Sequence, residues 1–83
     1  MKVRVLFFAR LREQLGSSGE DVDIADGAGV AALRAQLASR SAAWREALEA
    51  RNLRIAVNQD MAAADQVLKA GDEVAFFPPV TGG

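Results

Sequence analysis

The residues best suited to chemistry are Gly82 and Gly83, the last two of the 83-residue sequence. Glycine has no side chain, so this pair lets a backbone enter a narrow channel and leaves the last carbonyl unhindered. The alternative is a frayed terminus, because chain ends tolerate small residues. Taken alone, the pair fits both interpretations, and the residues before it must decide between them.

Two prolines, Pro78 and Pro79, come shortly before the glycines. Neither can donate a backbone hydrogen bond, so they end any strand that precedes them, and they hold the chain extended. From Phe77 onward the segment could reach about 20 Å. We therefore predict a domain over residues 1–77 and an extended, flexible tail over residues 78–83, suited to entering another protein's active site.

A terminal carboxylate on Gly83 would need activation, because it is ionised at neutral pH and is a poor electrophile. The plausible route is an acyl-adenylate that a partner makes with ATP. A sulfide donor or an amine would then displace AMP and leave a thiocarboxylate or an amide. The sequence has no phosphate-binding loop motif, no Cys and no His. We expect a carried reagent with no bound cofactor, not an enzyme on its own.

The composition argues against several other classes of protein. Without Cys there is no disulfide, no thiolate nucleophile and no Cys-based metal site, and without His the commonest base and metal ligand are missing. We predict no metal site. The net charge is -1 and the eight arginines and two lysines are scattered, which argues against nucleic acid as a partner.

The first residues resemble a signal peptide only superficially. Their apolar run, from Val5 to Ala9, lies between Arg4 and Arg10 and is too short for a hydrophobic region of that kind. No apolar stretch approaches the length of a membrane span. We expect a cytoplasmic protein with no membrane partner.

Apolar and polar residues alternate in four segments, which predicts strands over residues 2–8, 20–25, 53–57 and 73–77. Met61 begins a short returning segment. A short helical turn over residues 9–15 is expected to stop at Gly16. Helical spacing of Val30, Leu33 and Leu37 predicts a helix with Asp26 as a candidate cap. A second helix carries Trp44 toward the core, with Ser39 or Ser41 as its cap.

This order of elements, two strands, helix and two strands, favours an α+β domain with the ubiquitin-like β-grasp fold and a mixed sheet. In that fold the first and last strands lie side by side and parallel at the centre of the sheet. A ferredoxin-like α+β domain is the rival on spacing alone.

Adjacent phenylalanines at 7–8 and 76–77 predict an exposed apolar patch. Successive side chains of a strand point to opposite faces, so Phe7 and Phe76 face the core while Phe8 and Phe77 face outward. Met61 could extend the patch, which would mark an interface. The alternative is that a helix or loop covers this face.

Three blocks carry a resemblance to a known family: residues 2–9 with Arg12 and Glu13, residues 56–59, and residues 71–83. The chain resembles the small subunits of molybdopterin synthase, which are β-grasp sulfur carriers. It departs from their pattern at residues 27–29, Gly-Ala-Gly, where a better helix cap is common.

The resemblance implies that an E1-like adenylyltransferase activates Gly83 and that a sulfur donor protein converts it to a thiocarboxylate. The tail would then enter the large synthase subunit, in a heterotetramer, and give sulfur to cyclic pyranopterin monophosphate to build the molybdopterin dithiolene. The residues expected to contact the partner are Phe8, Met61, Phe77, Pro78, Pro79, Val80 and Thr81, with Gly82 beside the reactive Gly83.

Two rival functions share this chemistry. A thiamine-pathway sulfur carrier has the same fold and glycine pair, but such chains are usually shorter and lack the Phe-Phe-Pro-Pro segment. A ubiquitin-like protein modifier would use the activated terminus to form isopeptide bonds.

Overall fold

The computed structural model describes residues 1–78, which contain five strands and three helices. In chain order these elements are β1 (Lys2–Phe7), α1 (Arg10–Leu15), β2 (Gly19–Asp23), α2 (Val30–Ala38), α3 (Ala42–Leu48), β3 (Arg54–Val57), β4 (Asp60–Met61) and β5 (Glu73–Phe77).

The strands form one mixed sheet in the order β2-β1-β5-β3-β4. β1 and β5 are parallel neighbours, whereas β2 pairs with β1, and β3 with both β4 and β5, in antiparallel fashion. The chain's first and last strands therefore lie side by side inside the sheet. The predicted ubiquitin-like β-grasp arrangement is confirmed.

One face of the sheet packs against the helices and forms the core. Phe7 and Phe76 are buried there with their rings stacked 5.9 Å apart, as alternation predicts. Trp44 of α3 is half-buried and meets the Phe7 ring edge-on at 5.4 Å, so it closes the core as expected. The other large, fully buried side chains are Val3, Val5, Val30, Leu33, Leu37, Leu48, Leu68 and Val74.

The predicted cap of α2 is wrong. Asp26 lies 3.4 Å from the N-terminal ammonium group, and Gly29 occupies the capping position instead. The backbone N–H of Val30, which has no partner within the helix, donates to the carbonyl oxygen of Gln66 at 2.9 Å. A Cβ on Gly29 would lie 2.7 Å from that oxygen, so the glycine lets the two backbones approach.

The ends of the other helices follow the prediction more closely. Ser41 caps α3, because its hydroxyl oxygen accepts a 3.3 Å hydrogen bond from the Trp44 N–H, while Ser39 ends α2. Gly16 ends α1 in the left-handed conformation, with a φ of 65°. Within residues 1–78, no helix is long and apolar enough to cross a membrane.

Pro78 is the last residue that the structure describes. The predicted tail residues Pro79, Val80, Thr81, Gly82 and Gly83 lie outside the described residues. The division into a domain and a tail stays a prediction.

Candidate functional site

The candidate site lies where β1 and β5 end. The two strands are parallel, with Phe7 opposite Phe76, so both chains reach the same edge of the sheet. The Phe8 N–H donates to the Phe76 carbonyl oxygen at 3.2 Å, which extends the pairing by one step. The strand that leads into the glycine pair is thereby held beside Phe8.

The sheet face turned away from the helices is apolar at this edge. Leu6, Ala75, Ala56 and Met61 form a row across four strands, each opposite the next in the strand register. Phe8 and Phe77 follow Leu6 and Ala75 on the same face. We call these six residues the sheet patch.

Exposure within the sheet patch is greatest at Phe8 (46%) and Met61 (59%), while Phe77 is half-buried. The outward position of Phe8 and Phe77 agrees with strand alternation. Among residues 1–78 no helix covers this face, since the helices pack against the other one. Exposed apolar surface of this kind is typical of an interface.

The remainder of the same face is charged. Arg4 and Asp21 form an ion pair at 3.1 Å, Lys2 and Asp23 approach to 4.0 Å, and Glu73 stands opposite Arg4. Arg54 is exposed on this face too, opposite Phe77. The face is thus charged where β5 begins and mainly apolar, with one arginine, where β5 leads toward the tail.

Ala9 makes a sharp turn directly after the patch residue Phe8. Its φ of 54° and ψ of -130° are unusual for a residue with a side chain, and the Leu11 N–H donates to the Phe8 carbonyl oxygen at 3.2 Å across the turn. Such strain is common at functional sites. An alanine at this position does not predict the turn, because turns of this shape usually carry glycine.

Asn58 fixes the beginning of β5 at the opposite end. Asn58 and Gln59 both have positive φ and form the two-residue turn between β3 and β4. The Asn58 side chain donates to Asp72 Oδ1 at 2.9 Å and accepts from the Glu73 N–H at 3.0 Å. The bond from Asn58 to Asp72, and after it one from the Lys69 N–H, lower the pKa of Asp72.

The structure places Phe8, Phe77 and Pro78 where β1 and β5 end, and Met61 on the edge strand β4, two strands from β5. Their contact with a partner stays a prediction. Leu6, Ala56 and Ala75 were missed, even though alternation and the strand register would have indicated them. Within residues 1–78, no polar or charged side chain is fully buried, and no three Asp or Glu side chains cluster as metal ligands would. The described residues thus form an apolar surface next to Pro78, which is the predicted start of the tail.

Comparison with known proteins places these features in a family. The model of the ThiS family matches residues 5–83. The chain is 51% identical to the molybdopterin synthase sulfur carrier subunit of Escherichia coli, over 98% of this chain and 99% of that protein. It is 43% identical to the protein of the same name from Haemophilus influenzae, over 98% and 99% of the two chains.

Solved structures agree with the fold. A putative molybdopterin converting factor subunit 1 from Pyrococcus furiosus superposes with a TM-score of 0.84 at 35% identity, covering 96% of this chain and 99% of that one. SAMP1 from Haloferax volcanii gives 0.83 at 31% identity over the full length of both chains. A chain in the complex of subunits 1 and 2 of the Helicobacter pylori molybdopterin-converting factor gives 0.72 at 28% identity, again over both full lengths.

Proposed function

Because this chain belongs to the ThiS family, we propose that it is the sulfur-carrying small subunit of a molybdopterin synthase. The observation that carries the proposal is the sheet patch beside the strand that leads to Gly82 and Gly83. The names of the Escherichia coli and Haemophilus influenzae relatives support the same assignment.

The chemistry begins with activation of Gly83 by an E1-like adenylyltransferase. The carboxylate of Gly83 attacks the α-phosphorus of ATP, forming an acyl-adenylate and releasing pyrophosphate. Hydrosulfide supplied by a donor protein then attacks the acyl carbon and the bond to AMP breaks, which leaves a thiocarboxylate on Gly83 and free AMP. The adenylyltransferase binds the ATP, and this chain supplies a terminus without side chains that hinder attack.

The sulfur is delivered inside the large synthase subunit. The thiocarboxylate sulfur of Gly83 forms a bond to cyclic pyranopterin monophosphate, and water then cleaves the bond between that sulfur and the acyl carbon. The sulfur stays on the pterin as part of the dithiolene of molybdopterin, and Gly83 returns to a carboxylate. Two small and two large subunits form the complex, in the cytoplasm. The Helicobacter pylori complex of subunits 1 and 2 supports a partner of this kind.

The domain's task is to place the tail. The sheet patch docks on the large subunit, and Pro78, Pro79, Val80 and Thr81 lead Gly82 and Gly83 into its active site. Burial of Phe8 and Met61, both exposed in the described chain, supplies affinity because apolar area leaves water. No metal ion takes part on this subunit.

A protein modifier is the second candidate function. The likeness to SAMP1 of Haloferax volcanii favours it, since SAMP1 stands for small archaeal modifier protein 1. A modifier would join Gly83 to lysines through isopeptide bonds instead of carrying sulfur. A thiamine-pathway sulfur carrier would also form a thiocarboxylate but would have no use for the large synthase subunit.

Substitution of Phe8 by Ala tests the docking step. We expect the Kd for the purified large subunit to rise about tenfold or more, because central aromatic residues dominate interface energy. Val67→Ala is the matched control, since Val67 is also apolar and 60% exposed but pairs with Gly29 beside α2. Equal affinities for both variants and the native chain, measured by titration calorimetry, would contradict the proposed docking surface.

A further inference from the structure

A groove of about 810 Å³ lies on the helix side of the sheet, at the root of the tail. Its walls are α1 with the preceding Ala9, α3 with the residues that follow it, and Pro78. Phe77 belongs to the sheet patch, so alternation directs Pro78 to the helix side, in agreement with its place in this wall. The chain leaves the domain between the sheet patch and the groove.

The groove has an apolar floor and a charged rim. Leu11 and Ala47 are buried in the floor and Leu53 is half-buried, while Glu13 and Glu46 are exposed at the rim. Arg10 is the third charged residue of the lining. The ion pairs that residues 1–78 form among themselves involve none of these three. The rim carries one net negative charge and suits a cationic group.

We propose that this groove is a second docking surface for the large synthase subunit. It receives a short segment of that protein that lays an apolar side chain over Leu11 and Leu53 and a Lys or Arg beside Glu46. The inference rests on the proposed function. The physical reason is that the groove adjoins the sheet patch at Pro78. A large subunit that encloses residues 79–83 also surrounds Pro78, and it therefore contacts both the sheet patch and the groove.

A pair of charge reversals tests this inference without disturbing the core. Glu46→Lys changes the groove, and Glu49→Lys is the matched control at the same end of α3. Both glutamates are exposed, but Glu49 lines a different, smaller groove with Ala31 and Ala35. Each full-length variant is titrated with the purified large subunit, after thermal unfolding shows that it is as stable as the native chain.

We expect Glu46→Lys to raise the Kd about tenfold, and Glu49→Lys to change it less than about twofold. The effect should shrink as salt is added, since it arises from charges near the surface. Equal Kd values for the two variants would overturn the inference.

Phe8→Ala in the same titration separates this inference from the proposed function. If Phe8→Ala weakens binding while Glu46→Lys does not differ from its control, the sheet patch docks and the groove does not. If the large subunit binds none of the proteins, including the native chain, the proposed function itself fails.

Discussion

At the scale of single residues, Asn58 and Asp72 belong to the sequence blocks that resemble a known family, yet the structure gives them a role in the fold. Asn58 adopts a positive φ in a tight turn and bonds to both Asp72 and the backbone of Glu73. Asparagine tolerates that conformation better than most residues with side chains. The pair holds the beginning of β5, whose other end leads to the tail.

Asp72 gives a stability prediction that depends on pH. Its pKa is lowered in the folded protein, first by the Asn58 side chain and then by the Lys69 N–H. Its contribution is therefore present above the ordinary aspartate pKa of about 3.9 and is lost as the pH falls through the lower folded pKa. Asp72→Asn should be less stable than the native chain at pH 7, by less than about 1 kcal/mol because the group is solvated.

Urea denaturation of both proteins at neutral and at acidic pH measures this difference. We expect the two free energies of unfolding to converge in acid, where Asp72 becomes neutral. A difference that persists or grows as the pH falls would show that the Asp72 charge does not stabilise the turn.

At the scale of the elements, the start of α2 differs from an ordinary helix cap. The usual rule favours serine over glycine at the capping position. Here the Val30 N–H is satisfied by the Gln66 carbonyl, and Gly29 lies against that same backbone. The start of α2 is thus hydrogen-bonded to the loop before β5. A Cβ on residue 29 would push that loop away from the helix.

Gly29→Ser should consequently destabilise the protein, by about 1–3 kcal/mol, because a Cβ 2.7 Å from the Gln66 oxygen forces the backbone apart. Ala31→Ser, at an exposed position on the same helix, is the control and should cost about 0.5 kcal/mol through helix propensity alone. Thermal and urea unfolding compare the two. A Gly29→Ser variant as stable as the native chain would mean that an ordinary cap can form there.

These elements also show what the sequence can predict. Alternation around Phe7 and Phe76 was enough to define both strands and both faces, since it depends only on neighbouring residues. The prediction of Asp26 as the cap of α2 is wrong because the partner of the first helical N–H is the Gln66 carbonyl oxygen, which lies far along the chain. The Ala9 turn and the groove beside Pro78 depend on tertiary packing, which local patterns do not contain.

At the scale of the whole molecule, the proposed function makes the domain a support for a reactive end. Its core, built from one face of the β1 and β5 pairing and the helices, fixes the strand that leads toward the tail. The surfaces flanking that strand differ, one being apolar and the other polar at its rim. We expect the first to supply most of the affinity for the large subunit and the second to contribute to selectivity.

Intact mass shows whether Gly83 carries sulfur. The chain is incubated with the cognate adenylyltransferase, ATP and a sulfide source, with a Gly83 deletion variant as the control. We predict that the native chain gains the mass difference between one sulfur and one oxygen, while the folded deletion variant gains none. An unchanged mass with active partners, or adducts to lysines instead, would contradict the proposal that Gly83 carries sulfur.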